Sequence, residues 1–219
     1  MACVLKVATA AFALFAAAKL CNACEGGSKN TSTNVFQEFW QGNDGVWTLL
    51  YTDSIVTSCK WQKPTEISET NVTINTSYIS GKDPVNTEYT WYFLGNESMS
   101  RQAGTEKTHR EDAHLLYADP NKTCAVVMYV QFWNHGANVP TDGLRCRLQP
   151  NRTYLCLGRT FHELLSTAKN IEKVPNCLQK YNEEIAKIPG EKEDLKTGYT
   201  KELCEKSAHG PSSTPSRTA

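Results

Sequence analysis

The chain has 219 residues, of which 40% are hydrophobic and 10% aromatic, and its 23 basic residues balance 23 acidic ones. This length and apolar content suffice for one domain of ordinary size, or two small ones, and exclude a chain that is disordered as a whole. The zero net charge excludes a broadly basic nucleic-acid-binding protein, because binding to phosphates requires an excess of Lys and Arg.

The first residues are typical of a secretory signal peptide. An apolar run from Val7 to Ala18 is too short to span a bilayer, and small residues follow it around Ala23. Cleavage after Ala23 is expected. No later segment reaches the length of apolar sequence that a membrane helix needs, which predicts a secreted, extracellular protein without a membrane anchor.

Two further features agree with secretion. Seven cysteines follow the cleavage point at wide spacing, as in a disulfide framework rather than a zinc module. Six Asn-x-Ser/Thr sequons would each mark a surface position if glycosylated. They begin at Asn30, Asn71, Asn75, Asn96, Asn121 and Asn151.

A short helix is predicted after Asn34, a suitable N-cap, with apolar residues at helical spacing that would close one end of a barrel: Val35, Phe36, Phe39 and Trp40. From Trp47 to about Leu157, β-prone runs alternate with turn residues. The predicted strands cover 46–53, 58–64, 70–79, 86–94, 96–102, 112–118, 124–133 and 143–158, the last as a hairpin. Such a meander can close into a barrel that holds one small ligand, and a β-sandwich is the competing architecture.

Helical signals return after the strands. Phe161, Leu164 and Leu165 indicate a turn or two of helix. A further helix is predicted after Val174, with Pro175 at its start and these apolar positions: Cys177, Leu178, Tyr181, Ile185 and Ile188. The predicted organisation is a signal peptide over 1–23, one domain over 24–204 and a disordered Ser/Thr/Pro-rich tail over 205–219.

This order of elements resembles the lipocalins of tick saliva, the histamine-binding group. The similarity rests on three stretches, Trp47 to Tyr51, Leu116 to Cys124 and Val174 to Glu183, followed by Cys204. It covers most of residues 34–204. The resemblance implies a mostly β fold, an eight-stranded antiparallel lipocalin barrel with a short N-terminal helix and a C-terminal helix.

The resemblance also implies a disulfide pattern. In that family a cysteine on the second strand pairs with the C-terminal cysteine, and one on the seventh strand pairs with the cysteine of the C-terminal helix. Carried onto this chain, these pairs are Cys59–Cys204 and Cys124–Cys177. A hairpin would bring the remaining Cys146 and Cys156 within disulfide reach. Cys24 is then unpaired or lost with the signal peptide, and crossed pairings stay open because sequence alone does not assign connectivity.

Alternating positions on two predicted strands place aromatic and apolar residues on one face. We predict that they line a ligand cavity; the alternative is that they fill an ordinary core. The set is Trp47, Leu49 and Tyr51 on the first strand and Tyr89, Trp91 and Phe93 on the fourth, with Tyr117, Met128, Val130 and Tyr154 as second-rank candidates.

The resemblance implies a biogenic amine, such as histamine or serotonin, as the ligand. A buried amine requires a carboxylate and aromatic faces. The acids near strands, each interpreted first as a solvated residue, are Asp53, Glu88, Glu97, Glu111 and Asp112. The family's amine-binding pattern has an acidic pair, a tyrosine and a tryptophan on the last strand, whereas the segment here keeps only Tyr154. A hydrophobic ligand, such as a leukotriene, a fatty acid or cholesterol, is expected to fit at least as well.

The five histidines lack metal-ligand spacing, and no catalytic or phosphate-binding motif occurs. The sequence therefore predicts no enzymatic activity and no cofactor. Together with the resemblance, it predicts a secreted, monomeric, glycosylated salivary lipocalin that sequesters a small host mediator and so modulates immune and inflammatory responses. The alternative is a barrel that recognises a host protein, such as a complement component or an immune-cell receptor, through its loops.

Overall fold

The computed structural model describes residues 33–55, 57–103, 109–136, 145–188 and 196–207. The α-helices in these ranges are α1 (Val35–Gln41), α2 (Pro175–Ile185) and α3 (Lys201–Ser207). The strands are β1 (Val46–Tyr51), β2 (Ser58–Ile67), β3 (Asn71–Ser80), β4 (Asp83–Leu94), β5 (Ser98–Ala103), β6 (His109–Ala118), β7 (Cys124–His135), β8 (Cys146–Leu148), β9 (Tyr154–Ser166) and β10 (Lys196–Thr197). No helix among the described residues is long and apolar enough to cross a membrane.

The strands form a closed antiparallel barrel. Each strand from β1 to β6 pairs with the next, β7 pairs with β9, and β9 returns to pair with β1. The short β8 and β10 lie outside this ring, paired with β9 and β1. Eight strands therefore close the barrel, as predicted, and closure removes the free sheet edges that a sandwich would keep.

The segment that closes the barrel is strand where a helix was predicted. Phe161 and Leu165 belong to the core inside the barrel, whereas Leu164 between them packs in a second cluster on the outer face, under α2. Because both faces of this strand are covered, its apolar residues are not confined to alternate positions, and Phe161, Leu164 and Leu165 fall at the i, i+3, i+4 spacing of a helix. Because the period-two alternation is then lost, the sequence does not distinguish such a strand from a buried helix.

Helix α1 closes one end of the barrel, as its sequence predicts. The side-chain oxygen of Asn34 accepts hydrogen bonds from two backbone N–H groups in the first turn, at 2.9 and 3.3 Å. The amide nitrogen of Asn34 donates to the carbonyl oxygens of Gly95 and Ser98, at 2.8 and 3.0 Å. This double anchoring holds the helix across the barrel, where it buries Phe36, Phe39 and Trp40 in the core.

Three disulfides join the outer elements to the barrel, with the pairing that the resemblance and the hairpin predicted. Cys59–Cys204 links β2 to α3, and Cys124–Cys177 links β7 to α2. Cys146–Cys156 joins β8 to β9. Helix α3 reaches Ser207, so the first three residues of the predicted tail are helical. The predicted signal peptide, Cys24, Asn30 and residues 208–219 lie outside the described residues.

Candidate functional site

A cavity of about 190 Å³ lies inside the barrel. A water molecule occupies roughly 30 Å³ of liquid, so the volume corresponds to about six waters, and it is below the range of typical drug-sized pockets. The inward positions of seven barrel strands supply most of its wall. They include Lys60, Gln62, Tyr89, Trp91, Arg101, Glu111, Tyr129, Phe161 and Glu163.

Aromatic rings form a continuous part of this wall. The ring of Tyr129 stacks on Phe161 with centroids 5.0 Å apart, and Trp91 meets Tyr129 edge-on at 6.0 Å. These rings come from β4, β7 and β9, which closure of the barrel brings together. Offset and edge-on pairs of this kind provide a large, rigid apolar surface.

Three ion pairs make the same cavity strongly polar. Lys60 Nζ lies 2.5 Å from Glu163 Oε1, Arg101 Nη2 lies 2.7 Å from Glu111 Oε2, and Arg159 Nη1 lies 2.6 Å from Asp53 Oδ1. The cations and carboxylates balance. The interior is therefore charged as well as aromatic, whereas the sequence predicted a mainly apolar wall.

Glu163 is the most fully buried of these acids, at 3% exposure. Besides the lysine it accepts hydrogen bonds from the hydroxyl of Thr48 at 3.2 Å and the amide of Gln62 at 3.3 Å. Burial, with the nearby carboxylates of Glu163 and Glu111, raises the pKa of Tyr129 well above its usual range. The Tyr129 hydroxyl therefore stays protonated and neutral at physiological pH.

Arg101 occupies an unusual position in the wall. The central carbon of its guanidinium lies 3.9 Å from the centroid of the Tyr89 ring and 5.1 Å from that of Trp91. Its Nε and Nη1 atoms are buried and have no acceptor among the described residues. A buried donor without a partner costs about 1–3 kcal/mol.

The predicted ligand-binding residues separate into two groups. Tyr89 and Trp91 line the cavity, and Phe93 packs against the core on the same face of β4. Trp47 and Leu49 instead lie on the outer face of β1, in the cluster with the C-terminal segment, where Trp47 contacts Trp61 and Tyr199 with centroids 4.8 and 5.0 Å apart. The β1 prediction is corrected because residues of the C-terminal segment, among them Tyr199 and Cys204, pack against the outer face of the strand, so its apolar residues serve that contact.

The other candidates are not among the residues that line the cavity. Tyr51 is buried at the end of β1, where its hydroxyl accepts a hydrogen bond from the Thr57 N–H at 3.2 Å, and burial raises its pKa. Tyr117 packs in the outer cluster. Tyr154 pairs with Leu148 in the β8–β9 hairpin, which the Cys146–Cys156 disulfide links. Even-numbered positions of β7 face outward, which includes Met128 and Val130, since Tyr129 and Gln131 line the cavity.

The sequence predicted that the acids near strands are exposed to solvent, and in the structure some of them are exposed and others are buried. Glu88 and Glu97 are exposed. Asp112 is buried on the outer face and pairs with Arg110, while Glu111 and Asp53 lie at the cavity. The basic partners Lys60, Arg101 and Arg159 were not predicted. The available signal was register: Arg101 pairs with Glu111 directly across two neighbouring strands.

Five sequons fall on described residues. Asn96, Asn121 and Asn151 are exposed in turns, and Asn71 and Asn75 alternate on β3 with the buried Val72 and Ile74, which places them on the outer face. Glycosylation of these sites stays a prediction. Among the described residues, no group of three or more His, Cys, Asp or Glu side chains could hold a metal ion.

No protein-family model and no curated protein matches the chain. Among solved structures, the siderocalin Ex-FABP is similar over 73% of this chain and 95% of its own, with a TM-score of 0.50 and 11% sequence identity. Insecticyanin from the tobacco hornworm Manduca sexta matches over 79% and 84%, with a TM-score of 0.48 and 10% identity. The cockroach allergen Per a 4 matches over 81% and 96%, with a TM-score of 0.47 and 11% identity.

At such low identity the similarity to Ex-FABP concerns the fold alone. Together with the closed eight-stranded ring and its helix at one end, it shows that this chain has the lipocalin fold. Barrels of this size hold one small ligand or are filled by their own side chains.

Proposed function

We propose that this protein is a secreted carrier that binds one small molecule inside its barrel. The observation that carries the proposal is the cavity inside the barrel, which combines an aromatic wall with convergent polar groups. Aromatic contact area with a few placed polar groups is the composition of small-molecule sites. The three disulfides and the predicted signal peptide support an oxidising, extracellular location.

The resemblance to tick salivary lipocalins supports a finer role. In that role the protein sequesters a host mediator, either a biogenic amine such as histamine or serotonin or a hydrophobic molecule such as a leukotriene, a fatty acid or cholesterol. Removal of the mediator would modulate the host's immune and inflammatory responses. Because such binding is stoichiometric, its effect depends on affinity and abundance rather than on turnover.

Two residues of one strand test where the ligand binds. Tyr89 lines the cavity, whereas Tyr92 is 55% exposed on the opposite face of β4. We expect a calorimetric screen of these mediators to find a ligand that binds at one site per chain. Tyr89→Ala should weaken its binding by about five- to thirtyfold, the effect of losing an aromatic contact of about 1–2 kcal/mol. Tyr92→Ala should leave the affinity unchanged.

Native mass spectrometry of the secreted protein gives the complementary measurement. A small molecule that co-purifies and is released on unfolding supports carriage. A protein without any bound or bindable small molecule contradicts it. If such a protein captures a complement component or an immune-cell receptor instead, the alternative of protein recognition through the loops replaces the carrier proposal.

A further inference from the structure

The carboxylates beside the cavity are already committed to cations. Asp53, Glu111 and Glu163 each make an ion pair with an arginine or a lysine of the barrel. A buried ammonium needs a carboxylate to offset its lost hydration. An amine ligand would therefore have to break one of these pairs and leave a barrel cation without its partner.

Cations of the barrel also lie beside the aromatic rings of the cavity. The Arg101 guanidinium lies over Tyr89 and Trp91, and Lys60 Nζ lies 5.6 Å from the centroid of Tyr129. These are the rings that would provide cation–π contacts to an ammonium ligand. Such a ligand would meet a like charge at each of them.

Arg101, in contrast, has capacity to bind an acceptor. Its bond to Glu111 uses Nη2 alone, and Nε and Nη1 have no acceptor among the described residues. The side chain is 14% exposed. A guanidinium binds a carboxylate best through two parallel N–H donors, and that geometry is not used by Glu111.

We infer, on the basis of the proposed function, that the ligand is an amphipathic molecule with an anionic head group that binds Arg101. The body of the ligand packs on the rings of Trp91, Tyr129 and Phe161. Glu111 competes with the head group for the same guanidinium and so lowers the affinity of the site. Arg101 selects the charge of the ligand, and Glu111 sets how tightly that charge is held.

Three probes that share a chain and differ in the head group test this inference: octanoate, octanol and octylamine. By titration calorimetry at neutral pH, we expect the intact protein to bind octanoate most tightly and octylamine least. Glu111→Gln keeps the size and an acceptor but removes the competing charge. It should tighten octanoate binding by about tenfold, as expected for a strengthened charge-assisted hydrogen bond, and should not tighten octylamine binding.

Two further variants distinguish recognition of the head group by Arg101 from an effect of the protein's net charge and from a loss of folding. Glu88→Gln removes the same charge from an exposed outer position of β4, and the affinities for all three probes should not change. Arg101→Lys keeps the charge but removes the planar pair of donors, so the preference for octanoate over octanol should shrink. Thermal unfolding identifies any variant whose fold is lost, and Glu111→Gln decides the question while Arg101 itself is unchanged.

The outcomes distinguish the inference from the proposed function. If octylamine binds best, or if Glu111→Gln weakens octanoate binding, the inference is wrong while carriage of a small molecule stands. Equal affinity for octanoate and octanol also overturns it. If none of the probes binds and no small molecule co-purifies, the proposed function itself fails.

Discussion

The disulfide between Cys59 and Cys204 should stabilise the protein more than the one between Cys146 and Cys156, because it closes a much longer loop. The paired cysteines are 145 residues apart in the first case and 10 in the second. In the chain-entropy treatment these separations correspond to roughly 5 and roughly 3 kcal/mol of unfolding free energy. Removing the long-range disulfide should therefore cost about 2 kcal/mol more.

The local structure adds to this difference. The Cys59 N–H donates to the carbonyl of Gly198 at 2.7 Å, and the disulfide holds α3 beside β2. Cys59 itself has a positive φ of 55° at an irregularity in the pairing of β2, one residue before Lys60 of the cavity. The loss of the long-range disulfide should therefore also loosen the C-terminal segment.

The measurement compares two double variants, Cys59→Ala/Cys204→Ala and Cys146→Ala/Cys156→Ala. Because both cysteines of a pair are replaced, neither variant contains an unpaired thiol from the removed disulfide. Denaturant unfolding in non-reducing buffer gives the free energy of each. Equal losses, or a larger loss from the short hairpin, would refute the loop-length reasoning.

Three other changes have defined expected results. Asn34→Ala removes the cap of α1 and its anchor to the β4–β5 turn, and should lower the free energy of unfolding by about 1–3 kcal/mol in a denaturant titration. Burial lowers the pKa of His162 in the folded protein. As the pH drops below about 6.5, the unfolded chain therefore binds a proton at this residue before the folded one does, and the free energy of unfolding falls. His162→Gln should reduce this fall, which denaturant titrations at several pH values measure. Gly158→Ala would place a Cβ 2.5 Å from Trp133 Nε1 and 3.0 Å from a backbone oxygen, and should displace the indole and change the tryptophan fluorescence.

Each of these results can contradict its reasoning. Unchanged stability in Asn34→Ala would mean that the cap and anchor bonds contribute nothing net. A pH profile that is identical in His162→Gln would assign the acid loss of stability to other groups. An unaltered emission spectrum in Gly158→Ala would show that the strand accommodates the methyl group without moving Trp133.

The local features of the fold could be predicted from the sequence because their signals are local. Asn34 and the apolar spacing after it define α1, and the alternation of Tyr89 and Trp91 places both on the inner face of β4. The outward position of Trp47 and Leu49 could not be predicted in this way. Their alternation is equally regular, but the partner that covers them is the distant C-terminal segment, held there by a disulfide.

The charged residues of the cavity could not be predicted from the sequence for a related reason. Lys60 and Glu163 are 103 residues apart, and Arg159 and Asp53 are 106 apart, so only the return of β9 to β1 brings each pair together. An isolated charged residue on a strand is sensibly assigned to solvent, because it is seldom buried without a partner. The partners of Lys60 and Arg159 therefore become visible only after the barrel closes, whereas the partner of Arg101 lies directly across the neighbouring strand and follows from the β5–β6 register.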